Sequence, residues 1–158
     1  MVYLKEDDPR MKLLCADNIQ DADMELSAGI GDIPRRNQRV TRYGIANKLF
    51  AIAQLQKQLE REIEPAGLFV NPVLPWLAAT TDGLVGNDAL VEVKCPVTTR
   101  NLTPQGAVKE KKLTYCVLKD DHIHLKENHP YRYQVQGQLR ISQRKNCYFV
   151  LWTRKEYQ

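Results

Sequence analysis

The chain has 158 residues, of which 43% are hydrophobic and 27% are charged, and its formal net charge is +4. These values are typical of one globular domain with a packed core, and the charge alone is too small to indicate nucleic-acid binding. No apolar run approaches the roughly 20 residues that cross a bilayer, and the acidic N-terminus does not resemble a leader. We therefore expect an intracellular protein without a membrane partner, in the cytoplasm or the nucleus.

The cysteines do not form a metal-binding or disulfide pattern. Cys15, Cys95, Cys116 and Cys147 lie far apart, without a CxxC pair, so free thiols are expected. The three histidines also lack a partner at ligand spacing, and we predict no zinc site.

Charge is distributed unevenly along the chain. Residues 1–33 hold three basic and eight acidic side chains, whereas residues 100–145 hold ten basic and four acidic ones. This asymmetry allows a basic face for a phosphate backbone, but a solvated lysine-rich surface explains it equally well.

Residues 1–40 show little periodicity and are predicted to be a divergent, loosely structured N-terminal segment with at most a short helix. From Thr41, apolar residues recur every three or four positions, which predicts an amphipathic helix ending at Pro65 and Gly67. The apolar stripe of that helix consists of Ile45, Leu49, Ile52, Leu55, Leu59 and Ile63. We assign residues 41–158 to the core of a single domain.

Short apolar runs separated by turn residues follow. They predict a three-stranded β-meander, with strands at Gly67–Val70, Trp76–Thr80 and Ala89–Cys95.

The remaining elements are a helix at Thr103–Lys112, a hairpin of Thr114–Leu118 with His122–Leu125, a helix at His129–Ser142 and a buried strand at Cys147–Trp152. This order predicts a mixed α/β (α+β) fold in which helices flank a central mixed sheet.

The main chemical signal lies in the third predicted strand. Glu92 and Lys94 are two residues apart and project to the same face, while Val91 and Val93 face the other way. Charged groups inside an apolar strand need partners. Asp82 precedes them at a turn, and a hairpin connection would bring it beside Glu92.

Asp82, Glu92 and the backbone carbonyl of Val93 are hard oxygen donors suited to Mg²⁺. Such an ion would activate a water at a phosphate, and Lys94 would orient that water. A chance match with an exposed Glu–Lys pair is the alternative. Gln134 interrupts an otherwise apolar helical face, which indicates a designated hydrogen-bond partner or a satisfied core amide.

Three segments together resemble a known family: LPWLAATTDGLVGNDALVEVKCPVTTRN, YRYQVQGQLRIS and NCYFVLW. They are similar to the YqaJ-type viral recombinase domain, in the lambda-exonuclease branch of the PD-(D/E)xK nucleases. The resemblance implies a restriction-endonuclease-like core and an exonuclease that uses Mg²⁺ (or Mn²⁺) on linear duplex DNA ends, serves recombination and can be a homo-oligomer.

The family's catalytic residues fall on matching positions of this chain. The resemblance implies metal ligation by Asp82 and Glu92, a catalytic lysine at Lys94 and a catalytic glutamine at Gln134.

The resemblance also implies three residues that bind DNA or its phosphates. They are Arg100, which would contact the terminal 5′-phosphate, Thr80 and Tyr131.

Three departures from the family pattern stand out. Lys48 occupies the position of a helix glutamate that completes the family's site. It lies three residues after Ile45 and should face inward, which would weaken metal binding. The segment ELSAGIGDIPRRN has Gly29 in place of a serine, and Ala22, which precedes the segment, lies near the place of an arginine. The connection from that segment to the long helix is also short.

Three hypotheses follow. The first is an active metal-dependent DNA exonuclease. The second is a weak or inactive relative that binds DNA or a partner through the basic 100–145 region. The third is another nuclease of the same fold, such as an endonuclease or junction resolvase.

Overall fold

The computed structural model describes residues 2–5 and 35–154. It confirms a mixed α/β fold in which helices flank a mixed central sheet. The helices of the described residues are α1 (Arg35–Leu59), α2 (Pro104–Lys109) and α3 (Pro130–Ser142).

The central sheet has the strand order β1-β8-β5-β4. Its strands are β1 (Val2–Lys5), β4 (Gly83–Val85), β5 (Ala89–Lys94) and β8 (Asn146–Leu151). The inner strands β5 and β8 are parallel, and each has an antiparallel neighbour on its outer edge. The strand that carries Glu92 therefore lies in the interior of the sheet.

Two separate pairs complete the strands. The first joins β2 (Phe69–Val70) to β3 (Ala78–Ala79), and the second joins β6 (Cys116–Lys119) to β7 (His122–Leu125). The hairpin turn between β6 and β7 places Asp120 and Asp121 at positive φ, +49° and +58°. A two-residue turn with both φ values positive matches the twist of the strands that it joins.

The predicted β-meander is wrong in its pairing. The first two predicted strands form the isolated β2–β3 pair, and the partner of β5 on this side is β4, which lies in a stretch predicted to be a turn. Residues Gly83–Val85 are too few to show a periodic pattern. Contacts instead define the strand: Leu84 exchanges backbone hydrogen bonds with Glu64, and a Cβ at Gly83 would lie 2.5 Å from Cγ2 of Ile63.

The N-terminal strand β1 is also absent from the prediction, which treated residues 1–40 as loosely structured. Val2–Lys5 pairs antiparallel with β8. Gly29 and Ala22 lie outside the described residues. The predicted division of the chain at residue 40 falls inside α1 and stays a prediction.

The long helix is shifted relative to its predicted bounds. It begins at Arg35 and ends at Leu59, well before Pro65. Glu60 follows in the left-handed region with φ +51°, which ends the helix. Ile63, predicted to belong to the stripe, lies beyond it, with its N–H donating to Oε1 of Gln56 at 2.9 Å.

The predicted stripe of α1 is confirmed only in its second half. Leu55 is buried, and Ile52 and Leu59 are partly buried against the same core as Val91 and Val93 of β5. In the first half of the stripe, Ile45 is 66% exposed and Leu49 is 75% exposed. The apolar spacing alone does not show which part of the helix the sheet covers.

The other predicted helices and the hairpin are confirmed close to their predicted bounds. Thr103 caps α2, its Oγ1 accepting a hydrogen bond from the N–H of Gly106 at 3.2 Å. His129 caps α3, its Nδ1 accepting one from the N–H of Tyr131 at 3.2 Å. Side-chain caps of this kind satisfy N–H groups that have no partner within the helix.

The sheet has a hydrophobic core on each face. The α1 side includes Ala51, Leu55, Val85, Val91, Val93 and Val150, and the α3 side includes Leu90, Val135, Leu139, Cys147 and Phe149. Among the described residues, no helix combines the length and apolar character that a membrane span needs.

We predict that Leu55→Ala will lower the free energy of unfolding by about 2–5 kcal/mol. Leu55 is only 2% exposed, so the substitution leaves a cavity in the core. The matched control is Leu49→Ala on the same helix, which should change it by less than about 0.5 kcal/mol. Chemical denaturation measures both. Equal effects would show that the helix packs through a different face.

Candidate active site

Glu92 of β5 is a buried carboxylate, with 5% of the residue exposed. Its Oε1 accepts hydrogen bonds from Nζ of Lys94 at 2.8 Å and from Nε2 of Gln134 at 3.1 Å. Its Oε2 accepts one from Nε2 of Gln138 at 2.9 Å. Burying a carboxylate is costly unless it is paired and hydrogen-bonded, and these three donors meet that requirement.

Lys94 projects to the same face of β5 as Glu92, as predicted. Its Nζ also lies 3.3 Å from Oε1 of Gln134 and 4.2 Å from the centroid of the Tyr131 ring. The ring face attracts the ammonium, and the carboxylate forms a charge-assisted hydrogen bond with it. The predicted Lys94, Gln134 and Tyr131 therefore belong to one cluster around Glu92.

Asp82 reaches the same strand from the residue before β4. Its backbone N–H donates to the carbonyl of Val91 at 2.9 Å, and its Oδ2 accepts from the N–H of Val93 at 2.7 Å. Both contacts lie on the β4 edge of β5, adjacent to Glu92. The prediction that a hairpin connection brings the aspartate beside the strand is confirmed, although β4 follows Asp82 rather than preceding it.

Lys48 of α1 faces this cluster, and its Nζ lies 2.6 Å from Oδ1 of Asp82. The prediction that it points inward is confirmed, even though Ile45, from which it was partly inferred, is exposed. The two ion pairs, Lys48–Asp82 and Lys94–Glu92, give the cluster no net formal charge.

The donor set fits a hard divalent cation in chemistry. Asp82 and Glu92 supply carboxylates, and the carbonyl of Val93 leaves the strand on the same edge as its N–H, which faces Asp82. The Lys48 ammonium is a stand-in cation that already contacts Asp82. A metal would therefore have to displace it. In the described part of the chain, no group of three or more His, Cys, Asp or Glu residues adds further ligands.

Two cysteines lie beside the cluster as neutral thiols. Burial raises the pKa of Cys95 to about 11, with the charge of Lys48 opposing and that of Asp82 adding to the shift. Burial, with a contribution from the Glu92 charge, raises the pKa of Cys147 to about 12. Both thiols stay protonated near neutral pH, in agreement with the expectation of free cysteines, and neither offers a thiolate to a metal.

Of the other two predicted phosphate-binding residues, Thr80 is connected to the cluster by a hydrogen bond and Arg100 is not. The backbone carbonyl of Thr80 accepts a hydrogen bond from Nε2 of Gln138 at 2.7 Å, which ties Thr80 to it. Arg100 is exposed after a short 3₁₀ turn at Val97–Thr99. Its positive charge acts on Tyr43 of α1, where burial raises the pKa and the charges of Arg154 and Arg100 oppose the rise. No described contact joins Arg100 to Asp82 or Glu92.

The site predicted from the sequence did not include Gln138. One amide N–H₂ group of this buried residue joins β5, through Glu92, to the segment before Asp82, through Thr80. The sequence feature that could have identified it is a second amide four residues after Gln134, because residues four apart on a helix share a face.

The described residues form a mixed α/β domain in which α1 and α3 flank the sheet that carries this cluster of two carboxylates, a lysine and two glutamines. The model of the YqaJ-like viral recombinase domain matches residues 14–145. The chain belongs to that family, and the resemblance predicted from the sequence is confirmed.

The solved neighbours are two structures of an alkaline exonuclease, LHK-Exo, from Laribacter hongkongensis. The exonuclease alone is 24% identical with a TM-score of 0.54, and its complex with dAMP is 25% identical with a TM-score of 0.54. Each alignment covers 77% of this chain and 52% of that chain, so the chain spans about half the length of these relatives. No curated protein matches the chain.

We predict that Gln138→Leu will lower the free energy of unfolding by about 1–3 kcal/mol, because Glu92 loses a donor in a buried environment. Gln58→Leu on the exposed side of α1 is the control and should be nearly neutral. Denaturant titration followed by circular dichroism provides the comparison. An unchanged midpoint for the Gln138 variant would show that its hydrogen bonds do not hold the cluster together.

Proposed function

We propose that this domain is a DNA exonuclease that hydrolyses phosphodiester bonds from the ends of linear duplex DNA in a recombination pathway. Asp82, Glu92, Lys94 and Gln134 form the hydrolytic centre. The observation that carries the proposal is the buried Glu92 carboxylate, held by a lysine and two amides beside a second carboxylate. A structural ion pair does not need such an arrangement.

Mg²⁺ or Mn²⁺ is the proposed cofactor, with Asp82, Glu92 and the Val93 carbonyl as its ligands. When bound, such an ion supplies an activated water and neutralises charge that develops on the phosphate. Gln138 and Gln134 would keep the Glu92 carboxylate fixed while DNA binds. Fixed polar groups act without reorganising during the reaction.

Lys94 is proposed to orient the attacking water. An ammonium has three N–H donors, and its contacts here use Oε1 of Glu92 and Oε1 of Gln134. One donor is left for a water or a phosphate oxygen. The ring of Tyr131 restrains the lysine from one side, so the remaining N–H has a defined direction.

DNA contacts are proposed for Arg100, Thr80 and Tyr131. Arg100 and Thr80 are exposed, as a phosphate contact requires, and the guanidinium of Arg100 can bind a terminal 5′-phosphate with two parallel hydrogen bonds. A homo-oligomeric assembly stays a prediction.

Lys48 is proposed to weaken the enzyme. Its ammonium neutralises Asp82 at 2.6 Å, and a divalent ion at this position would meet both the repulsion of that charge and the loss of a ligand. The same contact favours a second candidate function, which is DNA binding without cleavage.

We predict that wild-type protein will shorten end-labelled linear duplex only at high Mg²⁺ concentration. Lys48→Glu should lower the Mg²⁺ concentration for half-maximal rate by at least an order of magnitude, because a charge change beside the ion exceeds about 1.4 kcal/mol at low effective dielectric constant. Glu92→Gln should abolish cleavage at every concentration. Product length on denaturing gels gives the rates.

The control for the charge change is Lys57→Glu, an exposed site in the last turn of α1, which should behave as wild type. Cleavage by Lys48→Glu alone would establish the second candidate for the natural chain. Absence of cleavage by both proteins would overturn the hydrolytic proposal. Digestion of closed circular DNA would identify an endonuclease or resolvase instead.

A further inference from the structure

A cavity of about 410 Å³ lies between the β6–β7 hairpin and the start of α3. Its volume lies within the range of ligand-binding clefts. Its lining is mainly polar and basic, with an apolar contribution from Val117 and Leu125. The basic side chains are Lys119, His124, Lys126 and Arg132, and the acidic one is Glu127.

The hairpin register places three of these basic side chains, those of Lys119, His124 and Lys126, in a row. Val117 pairs with His124, and Lys119 pairs with His122. Directly opposite residues share a face of the hairpin, as do residues two apart along a strand. Lys119, His124 and Lys126 therefore share one face of the hairpin, and all three line the cavity.

The charges of Lys119 and Lys126 have no ion-pair partner in the described part of the chain. No salt bridge or side-chain hydrogen bond to Lys119 or Lys126 is found within residues 40–154. The charge of Lys126 also helps to lower the pKa of His129, after burial. The turn at Asp120 and Asp121 adds carboxylates beside Lys119, so the positive potential is strongest at the Lys126 end.

The length of the row favours an extended anion over a single phosphate. Lys126 donates its backbone N–H to the carbonyl of Tyr115 at 2.9 Å, so it continues the ladder opposite Tyr115. Tyr115 and Lys119 are four residues apart, which at about 3.3 Å per residue separates the two lysines by about 13 Å. One strand of duplex DNA advances about 3.4 Å per nucleotide, so the row spans about four nucleotides.

The row is connected to the hydrolytic centre through the start of α3. Tyr131 holds Lys94 with its ring face and lies 5.0 Å from the His129 ring, centroid to centroid. The next residue, Arg132, lines the cavity. The same helical turn therefore presents one residue to the centre and the next to the cavity.

We propose that this cationic face of the β6–β7 hairpin binds the phosphate backbone of duplex DNA beyond the hydrolytic centre. The inference rests on the proposed DNA-directed function and adds the surface on which the duplex lies. It assigns part of the basic 100–145 region to DNA contact and leaves the rest as solvated surface.

The test measures binding without cleavage. Fluorescence anisotropy of a labelled linear duplex, with EDTA present, gives the affinity of the full chain over a range of salt concentrations. Lys119→Gln/Lys126→Gln should weaken binding roughly 10- to 60-fold at about 0.1 M salt. It should also reduce the slope of log affinity against log salt by about two, since each lost phosphate contact removes about 0.9.

Two control variants separate this effect from general charge loss. Lys119→Arg/Lys126→Arg should retain the wild-type slope. Lys57→Gln/Lys145→Gln removes the same charge from exposed sites elsewhere and should change the slope much less. An unchanged slope in the hairpin Gln variant, or an equal change in the Lys57/Lys145 variant, would overturn the proposal.

The result does not depend on the hydrolytic centre, because no metal is present. A chain that cuts DNA but keeps its salt slope after the hairpin substitutions would refute the hairpin contact and leave the exonuclease proposal standing. If the chain never cuts DNA but the hairpin substitutions weaken duplex binding, the hairpin contact would be supported and the exonuclease proposal would be refuted. The backbone contact would also be refuted if the hairpin Gln variant lost affinity for the mononucleotide dAMP but kept its affinity for the duplex.

Discussion

The central constraint on this domain is the burial of the Glu92 carboxylate in the middle of its sheet. A charge at that depth requires donors at fixed positions, and no single element could provide them all. Lys94 comes from the same strand, and Gln134 and Gln138 come from α3. The register between α3 and β5 is therefore set by polar contacts as well as by the packing of Val135 and Leu139.

The second carboxylate is positioned in a different way. Asp82 is bound to the edge of β5 through its own backbone and through the N–H of Val93, so its location follows from strand pairing. Its remaining oxygen faces α1, where Lys48 contacts it. The electrostatic character of the centre thus depends on one residue of a helix that otherwise serves the core, and changing that residue would leave the sheet intact.

The parts of the structure that could be predicted from the sequence are those with a local pattern. The Glu92–Lys94 pair follows from the two-residue period of a strand, and α3 has a helix signal with a cap and a proline. Strand β4 could not be found in this way, because three residues are stabilised by Glu64 and Ile63 rather than by their own composition. The exposed first half of the α1 stripe could not be recognised, because Ile45 and Leu49 keep the helical spacing of Leu55 although they lie outside the core.

The site shows the same division. Asp82 and Glu92 were found together because a turn and a strand are adjacent in sequence. The bridging role of Gln138 depends on the carbonyl of Thr80, far away along the chain, and periodicity within α3 contains no information about that partner.

The parallel pairing of β5 with β8 has a consequence for how the protein is made. Ala89 of β5 lies opposite Asn146 of β8, far later in the sequence. The ribosome therefore synthesises β5 well before β8, which pairs with its inner edge. Domains fold as units once their long-range partners are available, and parallel strands need an intervening crossover. A nascent chain can therefore form α1 and the β4–β5 hairpin early, but it gains an enclosed Glu92 only after β8 has emerged. The order of the strands thereby delays the burial of Glu92 until the last strand of the sheet is available.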